Sequence, residues 1–110
     1  MARRTVEWAE PAVEDLQRIY DYLWGLNPGA ADRILTRLET AASRLETLAE
    51  RGRLVPELAD SGNTGYRELI DEPYRIIYRI QGNRVFVVAA LDGRRDLESL
   101  LLERLLAAPR

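Results

Sequence analysis

The spacing of apolar positions changes several times along the chain, and each change predicts a different element. In residues 3–8, Val6 and Trp8 fall on one side and Thr5 and Glu7 on the other, a two-residue period that predicts a short strand in need of a pairing neighbour. From Pro11 the period lengthens. Val13, Leu16, Tyr20 and Leu23 recur at helical spacing with Ala12 and Ile19 beside them, and Pro11 suits a first turn because its missing N–H costs nothing there. "GLNPGA" ends this helix, and Asn27 before Pro28 marks the capped start of the next. Ala31, Ile34, Leu38, Ala41, Leu45 and Leu48 then form the clearest stripe in the chain. Two striped helices on a short linker predict an antiparallel hairpin, since neither buries its stripe alone, and the hairpin can lie on a sheet as a second layer.

Residues 50–65, with three glycines and one proline, read as a long surface connection. Three strand-like runs follow at 66–70, 74–80 and 85–91, separated by "DEP" and "QGN". Those separators are too short for crossover helices, so the strands should be antiparallel neighbours. Residues 96–108 read as a last helix with Asp96 as cap and Leu97, Leu100, Leu101, Arg104 and Leu105 on one side. The order is β-α-α-β-β-β-α, an α+β fold with a helical hairpin packed on an antiparallel sheet.

Alternation assigns faces. Tyr74, Ile76, Tyr78 and Ile80 should meet the helices, leaving Arg75, Ile77 and Arg79 on the opposite side. Phe86, Val88 and Ala90 alternate with Val85, Val87, Ala89 and Leu91, so that strand is apolar on both faces and should be covered on both. Arg75 and Arg79 admit a plain reading, a solvated sheet face paired with Glu57 or Glu68. They also admit a sharper one, a positive patch joined by Arg67 from the preceding strand and by Arg94 and Arg95 from the following loop.

Composition narrows the chemistry. The chain has 110 residues, enough for one domain over 1–110, and carries neither cysteine nor histidine. Disulfides, thiolate zinc sites, cysteine nucleophiles and the commonest general base are therefore excluded, leaving carboxylates, tyrosines and arginines. No metal site and no cofactor is expected. All sixteen basic residues are arginine, and the formal net charge of −2 supplies no global pull toward nucleic acid. No apolar run is long enough to cross a bilayer and no secretory leader is evident, so no membrane association and a cytoplasmic location are expected.

The stretches "VEWAEPAVEDLQRIYDYL", "GRLVPEL" and "YRELIDEPYRIIYRIQGNRVFVVAALDGRRDL" together resemble the toxins of the RelE/ParE superfamily of bacterial type II toxin-antitoxin modules. The resemblance implies a growth-inhibiting toxin neutralised by a cognate antitoxin. It leaves two mechanisms: messenger RNA cleavage in the ribosome, as in RelE-like members, or poisoning of DNA gyrase, as in ParE-like members. Arg67, Arg75 and Arg95 match basic positions of the nuclease pattern. Leu69 and the region of Leu101 stand where further catalytic side chains are expected, and "LDG" at 91–93 stands where many relatives carry histidine.

The ParE-like branch is favoured, because arginine stabilises charge but does not take up or give a proton at neutral pH. The candidates for target binding are Arg67, Arg75, Arg79, Arg94 and Arg95. Those for the antitoxin, expected as an amphipathic or disordered segment across the hairpin that also adds a strand to a sheet edge, are Leu16, Tyr20, Leu23, Ile34 and Leu38. A decayed toxin that only binds its antitoxin is the third reading, and a homodimer or a hetero-oligomer with the antitoxin stays open.

Overall fold

The computed structural model describes residues 3–93 together with Leu100, Glu103 and Arg104. Its elements are β1 (Thr5–Trp8), α1 (Glu10–Leu26), α2 (Pro28–Ser43), α3 (Leu45–Leu48), β2 (Arg53–Leu54), α4 (Pro56–Ala59), β3 (Arg67–Asp71), β4 (Tyr74–Gln81) and β5 (Arg84–Asp92). The five strands form one sheet in the order β1-β5-β4-β3-β2. Every neighbouring pair is antiparallel except β1 with β5, which run parallel.

The helical hairpin follows its sequence signals. Asn27 accepts a hydrogen bond from the Ala30 backbone N–H at 3.1 Å, and Pro28 occupies the first turn of α2. Two details differ from the expected stripes. On α1 the inward arc is Ala12, Asp15, Leu16 and Ile19, and Val13 turns to solvent. The long second helix breaks at Arg44, just after the Ser43 hydroxyl donates to the Thr40 carbonyl at 2.7 Å and competes with the helical backbone. The break keeps Leu45 buried and turns Leu48 outward.

The hairpin covers one face of the sheet, where Tyr74, Ile76, Tyr78, Val85 and Val87 meet Ala12, Leu16, Leu38, Ala42 and Leu45. Tyr78, without exposed surface, donates its hydroxyl to the Ala49 carbonyl at 2.5 Å. β5 does not keep the strict alternation expected of it. Its partners on β4 step from Ile77↔Ala89 to Tyr78↔Val87, so Val88 is an extra residue at a bulge, and Ala90 joins Val85 and Val87 on the helix face.

Residues 50–65, expected as a surface connection, fold back as β2 and α4. They lay Val55 and Leu58 on the other sheet face over Ile77, Ala89 and Leu91, with Leu100 packed against the same cluster. Val55 and Leu58, on either side of Pro56, are the residues of this segment that build the second small core. Of the expected last helix, Leu100, Glu103 and Arg104 are helical, and the rest lies outside the described residues.

Candidate recognition surface

The sheet face opposite the hairpin carries the arginines singled out by their spacing, and the structure sorts them into three situations. Arg75, second in β4, is nine-tenths buried and fully engaged. Its Nη1 and Nη2 each donate to a Glu57 carboxylate oxygen at 2.8 Å, and its Nε and Nη2 donate to the two oxygens of Glu68 at 2.5 and 3.0 Å. Arg53 from β2 reaches Glu68 as well, at 2.6 Å. Two guanidiniums and two carboxylates thus close into a neutral network that ties α4 to the sheet. Paired hydrogen bonds from Arg75 hold the Glu57 carboxyl down at about 2, and the same carboxylates raise the guanidinium further above its ordinary range. The expectation that Arg75 offers charge to a target is therefore corrected: its donors are spent inside the fold.

Arg67 is the second correction. It pairs with Tyr78, so it lies on the helix face of the sheet and not beside Arg75 and Arg79. Its Nη1 donates to the Gly52 carbonyl at 2.8 Å, holding the segment that leads into β2.

Arg79 is the third case. It sits directly opposite Phe86 on β5, its guanidinium lies 5.0 Å from that ring centre, and Arg84 lies 5.8 Å from the same ring. Arg84 forms an ion pair with Glu7 of β1 at 3.0 Å, whereas Arg79 has no ion pair among the described residues. Phe86 and Arg79 are both partly exposed, so this corner of the sheet presents an aromatic ring flanked by two cations. Arg94 and Arg95 lie outside the described residues; of Arg67, Arg75 and Arg79, only Arg79 stands on this face without a carboxylate partner among the described residues.

The antitoxin candidates divide too. Leu16 and Leu38 are core residues, which corrects their assignment to a contact surface. Tyr20 donates its hydroxyl to Asp32 at 2.9 Å and stacks on Trp24, while Leu23 and Ile34 are partly buried. The apolar side chains that the hairpin does expose are Val13, Tyr22, Trp24 and Leu26.

Sequence reasoning missed Asp15. Buried on α1, it accepts from the Ala90 backbone N–H at 3.0 Å, from Arg18 at 2.6 Å and from both terminal nitrogens of Arg104 at 2.7 and 3.1 Å. Arg104 also stands 3.5 Å from the Val88 carbonyl at the bulge. β1 pairs with β5 only as far as Val87, and this carboxylate caps part of the strand edge left open beyond it. Its position one residue before Leu16, within the inward arc, was the available signal.

This overall fold, a helical hairpin packed on a mostly antiparallel sheet, is found in known proteins. The model of the ParE toxin of the type II toxin-antitoxin system parDE matches residues 6–97. The chain belongs to the ParE toxin family. It is thus a toxin of a type II toxin-antitoxin system within the RelE/ParE superfamily.

Toxin RelE2 of Caulobacter vibrioides is 38% identical over 91 residues, covering 82% of this chain and 96% of that protein. Toxin ParE3 of the same organism is 29% identical over 92 residues, covering 83% and 88%. Among solved structures, the chromosomal ParDE system from P. aeruginosa superposes with a TM-score of 0.67 at 24% identity, over 80% of this chain and 94% of that one. The RelBE2 toxin-antitoxin complex from Mycobacterium tuberculosis gives 0.58 at 23%, over 81% and 96%. In this ParE-family toxin Tyr74 and Tyr78 are buried against the helices, burial raises the Tyr78 hydroxyl above its ordinary range, and Leu69 packs onto the same core.

Proposed function

We propose that this toxin arrests growth by binding DNA gyrase, without chemistry of its own, and that a cognate antitoxin neutralises it in the cytoplasm. The observation that carries the reading is the commitment of Arg75 to Glu57 and Glu68. Cleavage of RNA through its 2′-hydroxyl needs a group to take a proton, a group to protonate the leaving oxygen, and positive charge for the transition state. Here Arg75 is neutralised, Arg67 lies on the other face of the sheet, and Tyr74 and Tyr78 are sealed in the core. What remains exposed suits recognition: the Arg79–Phe86–Arg84 corner for a target, and Tyr22, Trp24 and Leu26 on the hairpin for an amphipathic antitoxin segment. Solved structures similar to this one include a ParDE system and a RelBE2 toxin-antitoxin complex, in keeping with an antitoxin partner.

Purified toxin at micromolar concentration should inhibit gyrase supercoiling or trap gyrase on cleaved DNA, and added antitoxin should reverse it. Unaffected gyrase together with codon-specific cuts in toeprints of a translated message would replace this reading with ribosome-dependent cleavage. No effect in either assay would leave a protein that only binds its antitoxin.

A further inference from the structure

From the geometry of one corner of the sheet we infer that Arg79, Phe86 and Arg84 form a docking site for an acidic, extended segment of the toxin's target protein. The inference rests on the proposed function and names the chemistry of the partner. Arg79 and Arg84 both lie over Phe86, on the sheet face that the hairpin leaves uncovered. A cation–π contact leaves a guanidinium its N–H donors, and Arg79, which has no ion pair among the described residues, can offer them to a carboxylate through two parallel hydrogen bonds. The ring holds the two cations in place, so less side-chain freedom is lost when a partner binds.

Charge singles out Arg79 in this corner, because Arg84 is paired with Glu7. The neighbouring arginines of the same face, Arg53 and Arg75, are already neutralised by Glu57 and Glu68, and Arg79 has no ion pair among the described residues. Glu7, across β5 from Arg79, completes the local pattern. It pairs with Phe86 in the β1–β5 register and its Oε2 lies 3.0 Å from the Arg84 Nε, yet that oxygen is shielded from solvent and has no well-aligned hydrogen bond.

Single-stranded nucleic acid is the other polyanion that combines with aromatic and cationic side chains. It would need an open ring face for a base to stack on, and here the guanidiniums lie over that ring. An extended peptide meets the geometry better. Carboxylates two residues apart on an extended strand point to one side at roughly 7 Å separation, so a strand that sets one carboxylate on Arg79 presents the next along the same side.

Two readouts test this. A fluorescein-labelled peptide alternating glutamate and threonine should bind the wild-type toxin in an anisotropy titration. It should bind about tenfold more weakly to Arg79→Gln and to Arg84→Gln, and Arg79→Lys should recover only part of the loss. Arg79→Gln should lose gyrase inhibition to the same degree while keeping the wild-type unfolding midpoint.

Absence of peptide binding, or tighter binding of labelled oligodeoxythymidylate that depends on Arg79, would overturn the assignment. Full gyrase inhibition by Arg79→Gln would overturn it as well. Peptide binding that depends on Arg79, by a toxin that leaves gyrase untouched, would uphold the acidic-segment site and refute gyrase as the target.

Discussion

Replacing Arg75 by methionine distinguishes a structural arginine from a functional one. The substitution keeps most of the side-chain volume and removes four hydrogen bonds, two to Glu57 and two to Glu68. Glu57 is partly exposed and can recover water, so it contributes little to the loss. Glu68 has no exposed side-chain surface and would keep only Arg53. Breaking a buried pair from one side costs about 3–5 kcal/mol, and the surviving Arg53 contact places this case near ~3 kcal/mol. That is a large fraction of the ~5–15 kcal/mol that holds an ordinary domain together.

Urea unfolding followed by circular dichroism should show a midpoint lower by about 1–2 M with an unchanged slope. Changing Glu68 to methionine as well should restore part of the loss, because two apolar side chains of similar size leave no stranded charge. An Arg75→Met toxin that unfolds within ~0.5 kcal/mol of wild type and no longer inhibits its target would refute the reasoning and return Arg75 to the functional surface.

Three further outcomes follow from the same contacts. Because Arg75 holds Glu57 at about 2 against an ordinary 4.5, the folded toxin keeps this carboxylate ionised longer than the unfolded chain does; its contribution is complete above pH 4.5 and disappears as pH falls through about 2. Partial exposure limits this to ~1–2 kcal/mol, and acid titrations of stability should show the limb in wild type and lack it in Arg75→Met. A Cβ at Gly52 would meet the Tyr78 ring at 2.8 Å and the Glu68 carbonyl at 2.9 Å, so Gly52→Ala should cost ~1–3 kcal/mol in thermal unfolding, less than additively with Tyr78→Phe, which removes the clashing hydroxyl. Asp15→Ala strands the Ala90 N–H and the Arg104 guanidinium, predicting a loss of ~3 kcal/mol and faster exchange of the Ala90 amide, whereas unchanged exchange there would show that Asp15 does not cap the strand edge.

Periods of two and of three to four residues made the hairpin, the three long strands and the helix-facing set Tyr74, Ile76, Tyr78 and Ile80 legible, because each pattern reports a local geometry. The Gly82–Asn83 turn, with Gly82 at φ +61°, was legible for the same reason. Glu57 and Glu68 were visible as partners for Arg75. The closed network was not, because it depends on residues 53–58 folding back over the sheet, and the apolar pair Val55 and Leu58 is too short a pattern to announce that.

What the sequence determined by itself was therefore the class of each element and the inventory of chemistry: arginine, carboxylate and tyrosine, with no thiol or imidazole. Which arginines remain free was decided by the tertiary structure alone. Register set Arg67 against Tyr78, the fold-back of α4 neutralised Arg75, and the pairing of Arg79 with Phe86 left a cation over the ring with no ion pair among the described residues. A residue's type fixes what it can offer, and the neighbours brought by long-range pairing fix whether the offer is already taken.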